Sequence, residues 1–251
     1  MIVDHLVRIA LVAVTWVSLS LVAMAQDSSI SELRVTADLS LKPGSLKQRL
    51  VIEADDVTID GRGAILQGPG IPGTPASFTG FGITARGRKN ITGPPTINCS
   101  SVGAITIKNL VVRGFRSAAV FDECAAFTIE DCDFSDNWND PSFGWGDGER
   151  VGGLILTDCK EFSVTRSKFE RNWNGLALLR THHSKFTKND ASHCANTALK
   201  LETSCHNTIY DNDLSWGLRI SPGEVHARDS TGVLIESGSD WNHFERNDVT
   251  H

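Results

Sequence analysis

Along the second half of the chain an apolar residue recurs in a fixed polar frame. Three positions after it stands Asn, Asp or a small polar residue, and two further on a second apolar residue. The unit appears as Ile107-Lys108-Asn109-Leu110 and in fuller form at Ile129 to Phe134, Val164 to Phe169, Phe186 to Ala191, Ile209 to Leu214 and Phe244 to Val249. Its anchors, Ile107, Ile129, Val164, Phe186, Ile209 and Phe244, are separated by 22, 35, 22, 23 and 35 residues. A second apolar pair lies eight and ten positions before several anchors: Ala119 with Phe121, Leu154 with Leu156, Leu176 with Leu178, and Leu199 with Leu201. Apolar residues at every second position mark half-buried strands. Each repeat therefore holds at least two short strands, joined by turns rich in Asn, Asp, Ser and Gly.

A period of 22 or 23 residues built from short strands fits a chain that winds once per repeat and stacks strand upon strand in parallel around a continuous core. Leucine-rich repeats have a similar period, but their Leu/Asn consensus is absent, and a propeller blade needs about twice the length. The expected fold is all-β, a single-stranded right-handed parallel β-helix with two loop insertions. In such a stack Asn189, Asn212 and Asn247 occupy one coil position and form an asparagine ladder. The pattern predicts coils over 49–251 after an N-terminal cap region at 26–48. The last repeat is cut short at His251, which suggests missing coils or a partner over the open edge.

Residues 1–25 differ from the rest. An uncharged run from Ile9 to Met24 ends in Ala23-Met24-Ala25, a small-x-small pattern, and reads as a cleaved signal peptide. The expected location is secreted, periplasmic or cell surface, with no membrane span after cleavage. The chain carries a net charge of −6 and no dense Lys/Arg cluster, which argues against nucleic acid as a partner. Six cysteines in an exported chain permit disulfides. Cys124 and Cys159 lie 35 residues apart across a step of 35, so they stack on neighbouring coils as a disulfide or as paired buried thiols.

The run Val57-Thr58-Ile59-Asp60-Gly61-Arg62-Gly63 resembles the opening coil of many pectin-lyase-like β-helices, and the later coils resemble NosD-like right-handed β-helix repeats. The resemblance covers about residues 50–251. It implies the fold and leaves the activity open, because this coil carries lyases, hydrolases, epimerases, adhesins and a copper-site maturation factor. The aspartate motifs of polygalacturonases are absent. Asp140-Pro141 is followed by Ser142-Phe143 where alginate epimerases of this shape have His-Asp, so no catalytic residue carries over.

Candidate chemistry gathers at the two long steps, whose insertions fall at one corner of the coil. The first holds Trp138, Trp145, Asp147, Glu149 and Arg150; the second holds Arg219, Glu224, His226, Arg228 and Asp229. About three rungs separate them, roughly 14 Å, which suits two or three sugar rings. The expected floor is the outward row Ile155, Thr157, Ala177, Leu179, Lys200 and Glu202. Lys200, Glu202 and Arg180 are its candidates for base, acid and charge clamp. Trp138 and Trp173 sit in equivalent Asn-Trp-Asn turns and are expected to pack together. His183 and His206 share one coil position beside His182 and Cys205, a set that offers soft metal ligands, although neighbours in a strand point to opposite faces. The sequence requires no cofactor and leaves a divalent cation open. These features point to an exported polysaccharide-binding β-helix, with lyase, epimerase or hydrolase chemistry as one form. A non-catalytic envelope module and a copper-handling protein are the alternatives.

Overall fold

The computed structural model describes residues 30–89, 99–100, 104–142, 151–217, 219 and 230–250. The segment read as a signal peptide lies outside them. Among the described residues no helix is long and apolar enough to cross a membrane.

Strands such as Ser163–Thr165 and Thr208–Tyr210 bury their central residue and leave both neighbours outside, as a half-buried strand must. These three-residue strands stack in parallel as sheet B, in the register Ile59, Ile107, Ile129, Val164, Phe186, Ile209, Phe244. Longer strands form sheet A, where Ala119, Leu154, Leu176, Leu199 and Val233 align, as do Phe121, Leu156, Leu178, Leu201 and Ile235. Sheet C is narrower, with strands at Gly44–Leu46, Ala64–Gln67 and Val111–Arg113. It continues as single bridges through Asp133, Lys168, Asp190, Asp213 and Asp248. The chain visits A, B and C in turn, which is a right-handed parallel β-helix. The coil already begins at Ser31–Val35, which pairs with Gln48–Ile52, inside the stretch expected as a cap.

The inward columns form one core. Phe127 and Phe162 stack at 5.0 Å between centroids on neighbouring coils, and Leu156, Leu178 and Leu201 are fully buried. Corners are turned by single residues in the left-handed region, among them Asp131, Arg166, Lys188, Asp211 and Arg246 at φ between 50° and 56°. The asparagine ladder forms as expected. Asn189 Nδ2 donates to Asn212 Oδ1 at 3.1 Å and Asn212 Nδ2 to Asn247 Oδ1 at 2.9 Å. Each amide also donates to a core-strand carbonyl, at Val164, Phe186 and Ile209. A second ladder not read from the sequence runs through Asn207 and Asn242. At the last described coil the inward column opens, with Ile235 49% exposed.

Trp138 and Trp173 pack edge to face at 5.3 Å in a small cluster with Phe78, Val151 and Ala195. The expectation that they are packing partners therefore holds.

Candidate functional site

On the outward face of sheet A, the column Val120, Ile155, Ala177, Lys200, Leu234 runs beside Asp122, Thr157, Leu179, Glu202, Glu236. The sequence predicts an open floor here. The structure corrects this: Ile155, Ala177 and Leu179 are 3%, 1% and 0% exposed and form an apolar cluster of their own with Val120. Apolar side chains on this face are withdrawn from water, so they offer no polar floor to a sugar.

Lys200 and Glu202 do meet, at 3.7 Å, but a closer carboxylate takes the ammonium: Lys200 Nζ lies 2.9 Å from Glu236 Oε2. Glu202 and Glu236 are in register on adjacent strands, so Lys200 offsets two like charges one rung apart. The apolar-pair spacing, carried to Phe244, points to Leu234 and Glu236 as inward residues, whereas Val233 and Ile235 occupy those columns. The last turn between sheets A and B is one residue longer, and this hides Glu236 as a site residue. Arg180 lies beside Glu202, its backbone N–H donating to Glu202 O at 2.8 Å, but its closest side-chain partner is another carboxylate. Its guanidinium binds Asp158 with two bonds, of 2.6 and 2.8 Å, and that contact raises its pKa.

Of the insertion residues, Trp145, Asp147, Glu149, Arg150, Glu224, His226, Arg228 and Asp229 lie outside the described residues. Arg219 is 3% exposed, with its guanidinium 5.1 Å from the Trp173 ring centroid. It packs against the tryptophan cluster.

His183 and His206 stack at 4.9 Å with ring planes 3° apart, confirming their shared coil position. Parallel rings aim their lone pairs side by side, not at a common point. His182 Nδ1 accepts the backbone N–H of Cys205 at 3.1 Å, so that nitrogen is engaged. Burial lowers the His182 pKa, and the neighbouring His183 and His206 lower it further. Among the described residues no three His, Cys, Asp or Glu side chains are grouped to hold a metal ion. Cys124 and Cys159 are free buried thiols, not a disulfide. Cys124 Sγ lies 3.2 Å from Asp122 O and Cys159 Sγ 3.2 Å from Thr157 O, and the two thiols also hydrogen-bond to each other across the rung, the paired-thiol form of the expectation. Burial pushes Cys132 and Cys194 up to about 12, well away from the range of reactive thiolates.

The outward face of sheet B presents a different surface, a shallow groove of about 430 Å³ across four successive strands. Thr165, Thr187, Thr208 and Tyr210 line it with hydroxyls, and Thr187 Oγ1 donates to Thr165 Oγ1 at 3.1 Å. Most charges around it are matched. Arg166 grips Asp131 at 2.8 and 2.9 Å, Arg246 grips Asp211 at 2.7 and 2.9 Å, and His243 lies 3.1 Å from Glu245. The Arg246 guanidinium also covers one face of Tyr210 at 3.9 Å. Lys185 and Lys188 are exposed and form no ion pair with a described residue. Sequence reasoning passed over both because it followed the insertions. For Lys185 the signal was present, since it and Thr187 flank the anchor Phe186 and must point outward.

A family model described as right-handed beta helix region matches residues 95–251. No curated protein matches the chain. Among solved structures, the enzymatically active domain of Bacteriophage CBA120 tailspike protein 2 aligns at 11% identity and a TM-score of 0.33. That alignment covers 89% of this chain and 38% of the tailspike chain, so this chain spans well under half the length of that protein.

Proposed function

The chain belongs to the family of right-handed beta helix regions, and from that premise we propose that it is an exported module that binds polysaccharide along the outward face of sheet B. Family membership leaves the activity open, so the reading rests on the groove. The carrying observation is the contrast between the two faces. The middle of sheet A's outward face is an apolar patch of Ile155, Ala177 and Leu179 withdrawn from water, and Lys200 beside it is held by two carboxylates. Sheet B's outward row is open over four strands, with half-buried hydroxyls between exposed charged side chains. Equivalent residues recur every ~4.8 Å along a stacked sheet, which gives an extended sugar polymer a repeating set of hydroxyl partners. An open, shallow trough suits a long chain better than a small molecule, which favours an enclosed pocket. Export is supported by the signal-like first 25 residues.

A second reading is favoured by one specific observation: a cation and two carboxylates converge at Lys200, Glu202 and Glu236, and the two glutamates are 24% and 33% exposed. Such a group can serve a hydrolase or lyase. Both readings are tested by incubating the protein with a panel of neutral and acidic polysaccharides, following retardation in affinity gels together with new reducing ends and unsaturated products. Retardation without products supports the binding module. Products that disappear in Glu236→Gln support the second reading, and neither retardation nor products overturns both.

A further inference from the structure

We propose that the ligand of the sheet B groove is an anionic polysaccharide, bearing carboxylate or sulfate groups, and that Lys185 and Lys188 are its charge clamp. The inference rests on the polysaccharide-binding reading above and adds the chemical class of the ligand.

The chain as a whole is acidic, at −6, so a polyanion is repelled on average, and a site for one must be made by local positive charge that no carboxylate neutralises. The groove supplies it. Arg166, Arg246 and His243 each have an acidic partner within 3.1 Å, and Lys200 on the other face has two. Lys185 and Lys188 stand apart from that pattern: both are exposed, and neither has an ion pair with a described residue. Their position is set by the backbone. Lys185 and Thr187 are the outward residues on either side of buried Phe186, and Lys188 follows at φ 56°, where the chain turns away from the sheet. Both lysines line the groove together with Thr187, one before it and one after it on the same rung. An anionic substituent lying over Thr187 has both lysines in the lining of the same groove and a hydroxyl beneath it, with Thr165 and Tyr210 continuing the hydroxyl column on the neighbouring rungs.

The test measures affinity of the full chain for polygalacturonate, alginate, chondroitin sulfate, a neutral β-glucan and single-stranded DNA, at low and physiological salt. It is repeated with Lys185→Gln/Lys188→Gln and with Lys42→Gln/Lys47→Gln, which removes the same charge from exposed positions on the first coil. The expected result is tighter binding of a uronan or the sulfated polymer than of the neutral glucan, weakened by salt. The groove variant should lose about tenfold in affinity and the first-coil variant should behave as wild type; the preferred polymer then tells carboxylate from sulfate. Equal binding of the neutral glucan with no loss in the groove variant overturns the anionic assignment while leaving polysaccharide binding intact. An equal loss in both variants overturns the clamp. No binding of any glycan, or tighter binding of DNA than of every glycan, overturns both proposals.

Discussion

Lys200 Nζ sits 2.9 Å from Glu236 Oε2 on the next rung and 3.7 Å from Glu202 Oε2 on its own strand. One ammonium thus reconciles two carboxylates that the parallel register stacks directly upon one another. Replacing it by Lys200→Met leaves those charges facing each other. The expected loss is about 2 kcal/mol, less than for a fully buried pair because both glutamates are partly exposed. Lys200→Met/Glu236→Gln should recover most of it. Urea denaturation of both variants checks this, and no difference between them would show that the register repulsion is negligible.

Asn212 occupies the middle of the ladder. Its amide donates to Phe186 O and Asn247 Oδ1, while its own oxygen accepts two N–H groups of Asn189. Asn212→Ala strands buried partners on both sides and should cost about 2–3 kcal/mol. Asn247→Ala, on the last and more exposed rung, should cost about 1 kcal/mol. Thermal or urea melts compare the two.

Leu178 and Ile235 lie in one inward column, but Leu178 is fully buried and Ile235 is 49% exposed. Leu178→Ala should cost about 2–5 kcal/mol, whereas Ile235→Ala should cost less than about 1 kcal/mol. Similar losses at both positions would mean that Ile235 is covered in solution.

His182 brings a pH dependence with a definite sign. Its folded pKa is lowered by burial and by the positive charges of His183 and His206, against a smaller opposing effect of Asp158. Proton uptake is therefore harder in the folded state than in the unfolded one. Its contribution to stability is present above the ordinary histidine pKa of about 6.5 and is lost as pH falls through the lowered value. Protonation at Nδ1 also removes the acceptor used by Cys205 N–H. Denaturation curves between neutral pH and the carboxylate range should show this loss, and His182→Gln should flatten it.

The coil was legible because inward and outward residues alternate strictly around the anchors. Ile129, Val164, Phe186 and Ile209 align as their spacing requires, even across a 35-residue step. The asparagine ladder and the Trp138–Trp173 contact follow from the same register. The site was less legible, since register gives the position of a side chain and not its partner. Arg180 shares an edge with the Lys200 rung, yet it turns to Asp158. Glu236 was hidden by one extra residue in the last turn. Lys185 follows from the anchor rule, whereas Lys188, two positions after Phe186, is turned outward only by the left-handed corner at φ 56°.

Hydroxyl-radical footprinting of the full chain, with and without saturating acidic polysaccharide, tests most directly where the ligand lies. Polysaccharide on sheet B should protect Tyr210 and His243 from oxidation while leaving exposed Trp241 and His206, on the corner between sheets A and B, unchanged. Unaltered oxidation of Tyr210 and His243 under saturating ligand would contradict binding in the sheet B groove.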